Sequence, residues 1–202
     1  GRAGRQGGPG QATFFLSLDD GLGRRFSPER IIKVKDKLGG PEDEVITHSF
    51  VRDIPISGGK TLALITLDNG KDHTRPNTLG PNTLLRFAEV LDEQAARAKK
   101  GEIHGVAVTG KPFIFAAGAD LSKVNDIPDY ETGKQMAQLG HWSLGKLAEL
   151  GVPSFVFTNG LALGGGVEVG LNADYRTIDS SAAAFALPEV FLGLIPGWGG
   201  AW

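Results

Sequence analysis

The 202-residue sequence contains no cysteine. Disulfides, thiolate nucleophiles and cysteine-ligated metals are therefore excluded, which fits a reducing compartment. The four histidines, His48, His73, His104 and His141, lack metal-ligand spacing, so no metal is expected. No apolar run approaches the ~20 residues of a membrane span, so no membrane partner is expected. A formal net charge of -2 offers no global electrostatic footprint for nucleic acid. Residues 1–11 carry arginines but no apolar h-region of a secretory signal, and the expected location is cytoplasmic.

Glycine is what the chain has in excess, 30 residues clustered in the first ten positions and around residues 160–200. The first cluster reads as a flexible end, and residues 1–43 as a largely flexible N-terminal extension. Within it, Ser27-Pro28 is a plausible helix start, with serine as N-cap and proline at N1. The second cluster asks for a local explanation.

From residue 44 the chain alternates strand and helix patterns. Glu44 to Asp53 and Thr61 to Asp68 read as two strands of a hairpin, turned by Ser57-Gly58-Gly59-Lys60. Between Leu79 and Lys100, the residues Leu84, Leu85, Ala88, Leu91 and Ala95 share one helical face. Ile103 to Thr109 and Pro153 to Phe157 read as core strands, and Tyr130 to Leu150 as a helix. A short helix is expected over residues 166–173, then short strands at Tyr175 to Ile178 and Ala183 to Leu187. This alternation argues α/β layering. The default for the lone titratable groups Lys111, His73, His141 and Arg176 is solvated surface.

The chemistry concentrates in Asn159-Gly160 through Gly164-Gly165-Gly166-Val167-Glu168, which follows the apolar run Pro153 to Phe157. A strand feeding a glycine loop into a helix N-terminus leaves backbone N–H groups aimed at one spot. That spot can hold a phosphate, or a carbonyl oxygen that turns negative during a reaction. Glu168 argues for the second: a carboxylate repels a bound phosphate but can move protons beside a carbonyl. Taken singly, Glu168 is also a carboxylate favoured by a helix dipole, and Glu189 a surface residue after Pro188. Gly164 to Gly166 could likewise only permit close packing of helix on strand.

Four segments in order resemble the enoyl-CoA hydratase/isomerase (crotonase) family. They are Phe115-Ala116-Ala117-Gly118-Ala119-Asp120-Leu121, the stretch Asn159-Gly160 through Glu168, Leu187-Pro188-Glu189, and Gly193 through Gly200. The resemblance covers roughly residues 44–202. It implies a crotonase-like spiral of repeated ββα units, C-terminally truncated at Trp202, and a homotrimer or hexamer for the full-length protein. It implies an acyl-CoA thioester substrate, with coenzyme A as part of the substrate and no separate cofactor. Ala119 and Gly165 match the backbone N–H donors of the oxyanion hole, and Glu168 and Glu189 the two catalytic carboxylates. Ala117, Gly118, Asp120, Gly164 and Trp198 fall at substrate-binding positions. Asp120 more often orders such a turn than does chemistry. Trp198 and Phe191 either wall an acyl pocket or fill the core. The expected activity is hydration of a 2-enoyl-CoA in fatty-acid or acyl-CoA catabolism. The rivals are an isomerase or another thioester enzyme of the same fold, and a non-catalytic scaffold.

Overall fold

A computed structural model describes residues 44–119 and 129–201. The expected extension over residues 1–43, including the helix start at Ser27-Pro28, lies outside the described residues, as do Asp120 and Trp202. Among the described residues no helix is long and apolar enough to cross a membrane.

Strands β1 (His48–Ile56) and β2 (Lys60–Asp68) form the expected hairpin, in register from His48↔Asp68 to Ile56↔Lys60. Gly58 and Gly59 turn it with φ of 74° and 68°, a region open to glycine. Every second residue of β2, Ala63, Ile65 and Leu67, is buried, the period of a strand with one face on a core. The first strand starts later than expected. Glu44 lies outside it, and its carboxylate accepts from the N–H groups of Asn82 and Thr83, each at 3.0 Å. It thereby caps helix α1 (Pro81–Lys99), whose own N-cap, Gly80, has no side chain to do so.

Helix α1 buries Leu84, Phe87, Ala88 and Leu91. These positions, three or four apart, face the sheet as the sequence periodicity requires. It ends in a Schellman arrangement: Gly101 N–H donates to Ala98 O and Glu102 N–H to Arg97 O. Three further units follow. Strands β3 (Gly105–Gly110) and β4 (Phe113–Ala116) precede helix α2 (Tyr130–Gly145). Strands β5 (Ser154–Thr158) and β6 (Gly160–Leu163) precede helix α3 (Gly165–Leu171). Strands β7 (Tyr175–Ile178) and β8 (Phe185–Ala186) precede a 3-10 turn, Pro188–Leu192. Asp129 caps α2 by accepting from Thr132 N–H at 2.7 Å. Helix α2 ends at Gly145, short of the expected Leu150, and a 3-10 turn, Lys146–Glu149, completes that stretch.

The strands divide between two sheets. The larger has the order β1-β2-β3-β5-β7, parallel except for the hairpin, and the smaller has the order β4-β6-β8, all parallel. This is the α/β spiral of ββα units expected from the sequence. Two strands were not expected, β4 and β6, the second within what read as loop. The glycine loop is therefore fed by β6 of the small sheet, not directly by β5. The consequence is positional. Parallel strands present their C-terminal ends on one edge, so the segments after β4, β6 and β8 emerge side by side.

Candidate active site

Those three segments are the Ala117–Ala119 turn, the loop at Gly164, and Leu187-Pro188-Glu189. Because β6 is the middle strand, the Gly164 loop touches both neighbours. On one side, a Cβ added to Gly118 would stand 2.7 Å from Leu163 O and 3.0 Å from Gly165 N. On the other, a Cβ on Gly164 would stand 2.8 Å from Glu189 Oε1. Gly164 adopts φ 51° and ψ -122°, and Gly118 φ 89°, so glycine is required twice over at each. Gly165 and Gly166 are tight for a different reason: any side chain would overlap the Trp198 ring or Ala116 O, respectively.

Two residues away from the edge hold the first turn in place. Asn77, fully buried, donates through Nδ2 to Leu67 O at 2.8 Å and Phe115 O at 3.0 Å. Its carbonyl accepts from Ala117 N–H at 2.8 Å, and the neighbouring Leu79 N–H donates to Gly118 O at 2.8 Å. With Gly118 O and Ala117 N–H thus engaged, Ala119 N–H is left without an acceptor among the described residues, and so is Gly165 N–H at the start of α3. Nothing in the sequence marked Asn77, because its partners are backbone groups of distant strands.

Glu168 lies one turn into α3 and is 2% exposed. Its Oε1 accepts from Trp198 N–H at 2.6 Å and from Gly200 N–H at 3.0 Å. Its pKa is raised: burial, the largest influence, pushes it up, the Gly200 and Trp198 amides oppose this, and the charge of Glu189 adds to the rise. Glu189 is half-buried, and burial raises its pKa too, against one opposing hydrogen bond from its own backbone. Its Oε2 is shut from solvent and has no hydrogen-bond partner among the described residues. The environments therefore differ in kind. Two donors favour the ionised form of Glu168, while Glu189 keeps an oxygen that a proton would suit.

The sequence left two readings of Trp198 open, and its ring is in the core, 7% exposed, packed on Gly165 and Gly140. Phe191 does neither of the things expected of it within this chain, being 89% exposed. Lys111 is a correction: it is 4% exposed, not solvated. Its Nζ donates to Asn69 Oδ1 at 2.5 Å and to the carbonyls of Lys71, Asp72 and Arg75 at 2.9, 3.1 and 2.7 Å. It closes the loop between β2 and α1 and takes no part in the site. His73 lies in that loop, edge-on to Phe113 at 6.1 Å, and Arg176 is exposed on β7. Among the described residues no group of acidic, histidine or cysteine side chains could hold a metal.

The family model for enoyl-CoA hydratase/isomerase matches residues 57–202. A model for the SecA P-loop domain matches residues 1–43. The fatty acid oxidation complex subunit alpha of Shewanella loihica is 36% identical over 147 residues, 70% of this chain and 21% of that protein. The short-chain-enoyl-CoA hydratase of Clostridium acetobutylicum is 36% identical over 140 residues, 69% of this chain and 51% of that protein. The chain thus spans about a fifth to about half the length of these relatives. Among solved structures, DspI of Pseudomonas aeruginosa superposes with TM-score 0.65 at 29% identity, covering 80% of this chain and 62% of its own. An enoyl-CoA hydratase from Bacillus anthracis superposes with TM-score 0.61 at 26% identity, covering 74% of this chain and 54% of its own.

Proposed function

Because this chain belongs to the enoyl-CoA hydratase/isomerase family, we propose that its site adds water across the double bond of a 2-enoyl-CoA thioester. The observation that carries this reading is the pair Glu168 and Glu189: two shielded carboxylates in unlike surroundings, beside two turns with unengaged N–H groups.

In the proposed mechanism the thioester oxygen accepts from Ala119 N–H and Gly165 N–H. Ionised Glu168 takes a proton from water as the water oxygen bonds to Cβ. The electron pair of the double bond moves toward the carbonyl, and the oxygen becomes an enolate. Donors already aimed at that oxygen need no reorganisation, and each is worth about 3–4 kcal/mol in acyl-transfer enzymes. Protonated Glu189 then delivers its proton to Cα and the carbonyl reforms. Exchange of one proton between the two carboxyls through water resets the pair. Gly118 and Gly164 let the turns that face the thioester approach each other and Glu189 closely, and Trp198 packs on Gly165. Coenzyme A enters as part of the substrate, and no cofactor is invoked. A cytoplasmic, trimeric enzyme of acyl-CoA catabolism is the setting proposed with it.

The alternative with specific support is an enoyl-CoA isomerase, since a single carboxylate at Glu189 suffices to shuttle a proton between carbons. The presence of Glu168 favours hydration. Crotonyl-CoA separates the two: loss of its conjugated absorbance is the expected result. Turnover of a 3-enoyl-CoA without hydration would transfer the assignment to the isomerase.

A further inference from the structure

The two amides that hold Glu168 belong to a segment with little regular structure, Trp198 to Gly200. Besides the buried Trp198 ring, a side chain of α3's own C-cap, Asn172, holds that segment. Its Nδ2 donates at 2.8 Å to Glu168 O and at 2.8 Å to Trp198 O. Both partners are carbonyl oxygens, which only accept, so the amide nitrogen and not the side-chain oxygen must face them. One NH2 group thus joins the backbone of the carboxylate's own residue to the backbone that donates to the carboxylate. Gly199, between the two donors, has φ 126°, and a Cβ there would lie 2.8 Å from Asn172 Nδ2. The segment therefore reaches Asn172 only because residue 199 has no side chain.

We propose that Asn172 is a positioning residue that sets the charge state of Glu168, by pinning the Trp198–Gly200 backbone so that both amides point at Oε1. It does not touch the site's reacting atoms. This inference rests on the proposed role of Glu168 as the base. Among the described residues, the ionisable group acting on Glu168 is Glu189, presented by the turn after β8. Burial and Glu189 both disfavour the carboxylate and outweigh the two amides that oppose them, so loosening the amides pushes the balance further against the carboxylate.

The test is a carboxyl carbon-13 NMR titration of glutamate-labelled protein, with the Glu168 resonance assigned by its loss in Glu168→Gln. In Asn172→Ala the midpoint is expected to rise by about one pH unit, roughly tenfold less carboxylate at a given pH below it. The acidic limb of kcat/KM should move by the same amount, with the alkaline limb, which reports loss of the Glu189 proton, unmoved. An unmoved midpoint, or a uniform loss at every pH, would overturn the proposal, because a merely structural residue lowers the amount of active enzyme without moving a titration. Should Asn172→Ala fail to fold, Asn172→Ser serves: its hydroxyl can still reach the Glu168 carbonyl within the helix but not Trp198, and the same shift is expected. The NMR midpoint needs no turnover. A shifted midpoint with no crotonyl-CoA hydration keeps the role of Asn172 and removes the hydratase reading.

Discussion

Gly164 and Glu189 leave no room between them for a methyl group: a Cβ on Gly164 would stand 2.8 Å from Glu189 Oε1. The loop that begins helix α3 and the acid after β8 are therefore in contact, although 25 positions separate them in the chain. The contact exists because β6 and β8 are parallel neighbours that end on the same edge.

Gly164→Ala is expected to fail on two counts. Alanine at φ 51°, ψ -122° is strained by about 1–3 kcal/mol, and its methyl displaces the Glu189 carboxyl. Thermal unfolding should show the destabilisation, and kcat on crotonyl-CoA should fall further than the lost stability explains. A variant with wild-type Tm and kcat would contradict the geometry.

Glu168→Gln removes the proposed base while leaving an isosteric oxygen for the Trp198 and Gly200 amides. We expect kcat to drop by about 10²–10⁴ with thioester affinity largely kept. Steady-state kinetics together with equilibrium binding of a saturated acyl-CoA measure this. A loss confined to KM would mean that Glu168 binds and does not catalyse.

Glu189→Gln should reduce kcat similarly, yet stabilise the fold at alkaline pH. The folded-state pKa of Glu189 lies above the ordinary 4.5, so the folded chain holds the proton more tightly than the unfolded chain. That contribution is fully present below pH 4.5 and is lost as pH rises through the raised value. An amide, which has no charge to bury, escapes the loss. The Tm difference between variant and parent should be positive near pH 8 and shrink toward pH 4.5. A constant difference across that range would show that the carboxyl is well solvated.

Lys111→Met is expected to destabilise by about 2–4 kcal/mol without touching the chemistry directly. It strips the shared donor from Asn69 Oδ1 and three buried or part-buried carbonyls of one loop. Hydrogen exchange should accelerate selectively in residues 69–77. Unchanged protection there would mean that the loop holds itself closed.

Asn77→Leu keeps the branching of the side chain but leaves Phe115 O and Asn69 N–H unmatched, at about 1–3 kcal/mol for each group that finds no water, while Leu67 O keeps its bond from Lys111 N–H. Since Asn77 also tethers the turn that carries Ala119, a fall in kcat with KM little changed is expected in the fraction that stays folded. Equal stability in the variant would rule out the tether.

Much of this architecture was legible in one dimension. The hairpin follows from alternation in β2 and from Gly58-Gly59, and α1 from the spacing of Leu84, Ala88 and Leu91, because those signals report which face of a local element is buried. The segments bearing Gly118, Gly165, Glu168 and Glu189 stood out through their resemblance, in order, to the family's motifs; singly, each residue also had a structural reading. Strand β6 was not legible. Four residues, Gly-Leu-Ala-Leu, carry no period, and what makes them a strand is pairing with β4 and β8. Burial of Lys111 was equally hidden, since a lysine that satisfies three backbone carbonyls looks in sequence like any solvated one.

The sequence by itself determined most element types and the glycine-bearing turns, since these depend on local backbone freedom and apolar spacing, and its family resemblance singled out the two acids. Only the tertiary structure decided that parallel pairing within the smaller sheet brings the ends of β4, β6 and β8 to one edge, that Glu168 receives its amides from Trp198 and Gly200, and that Asn172 ties those parts together. These are contacts between residues remote in the chain. Their strength depends on burial and on the direction of hydrogen bonds, and neither exists until the chain has folded.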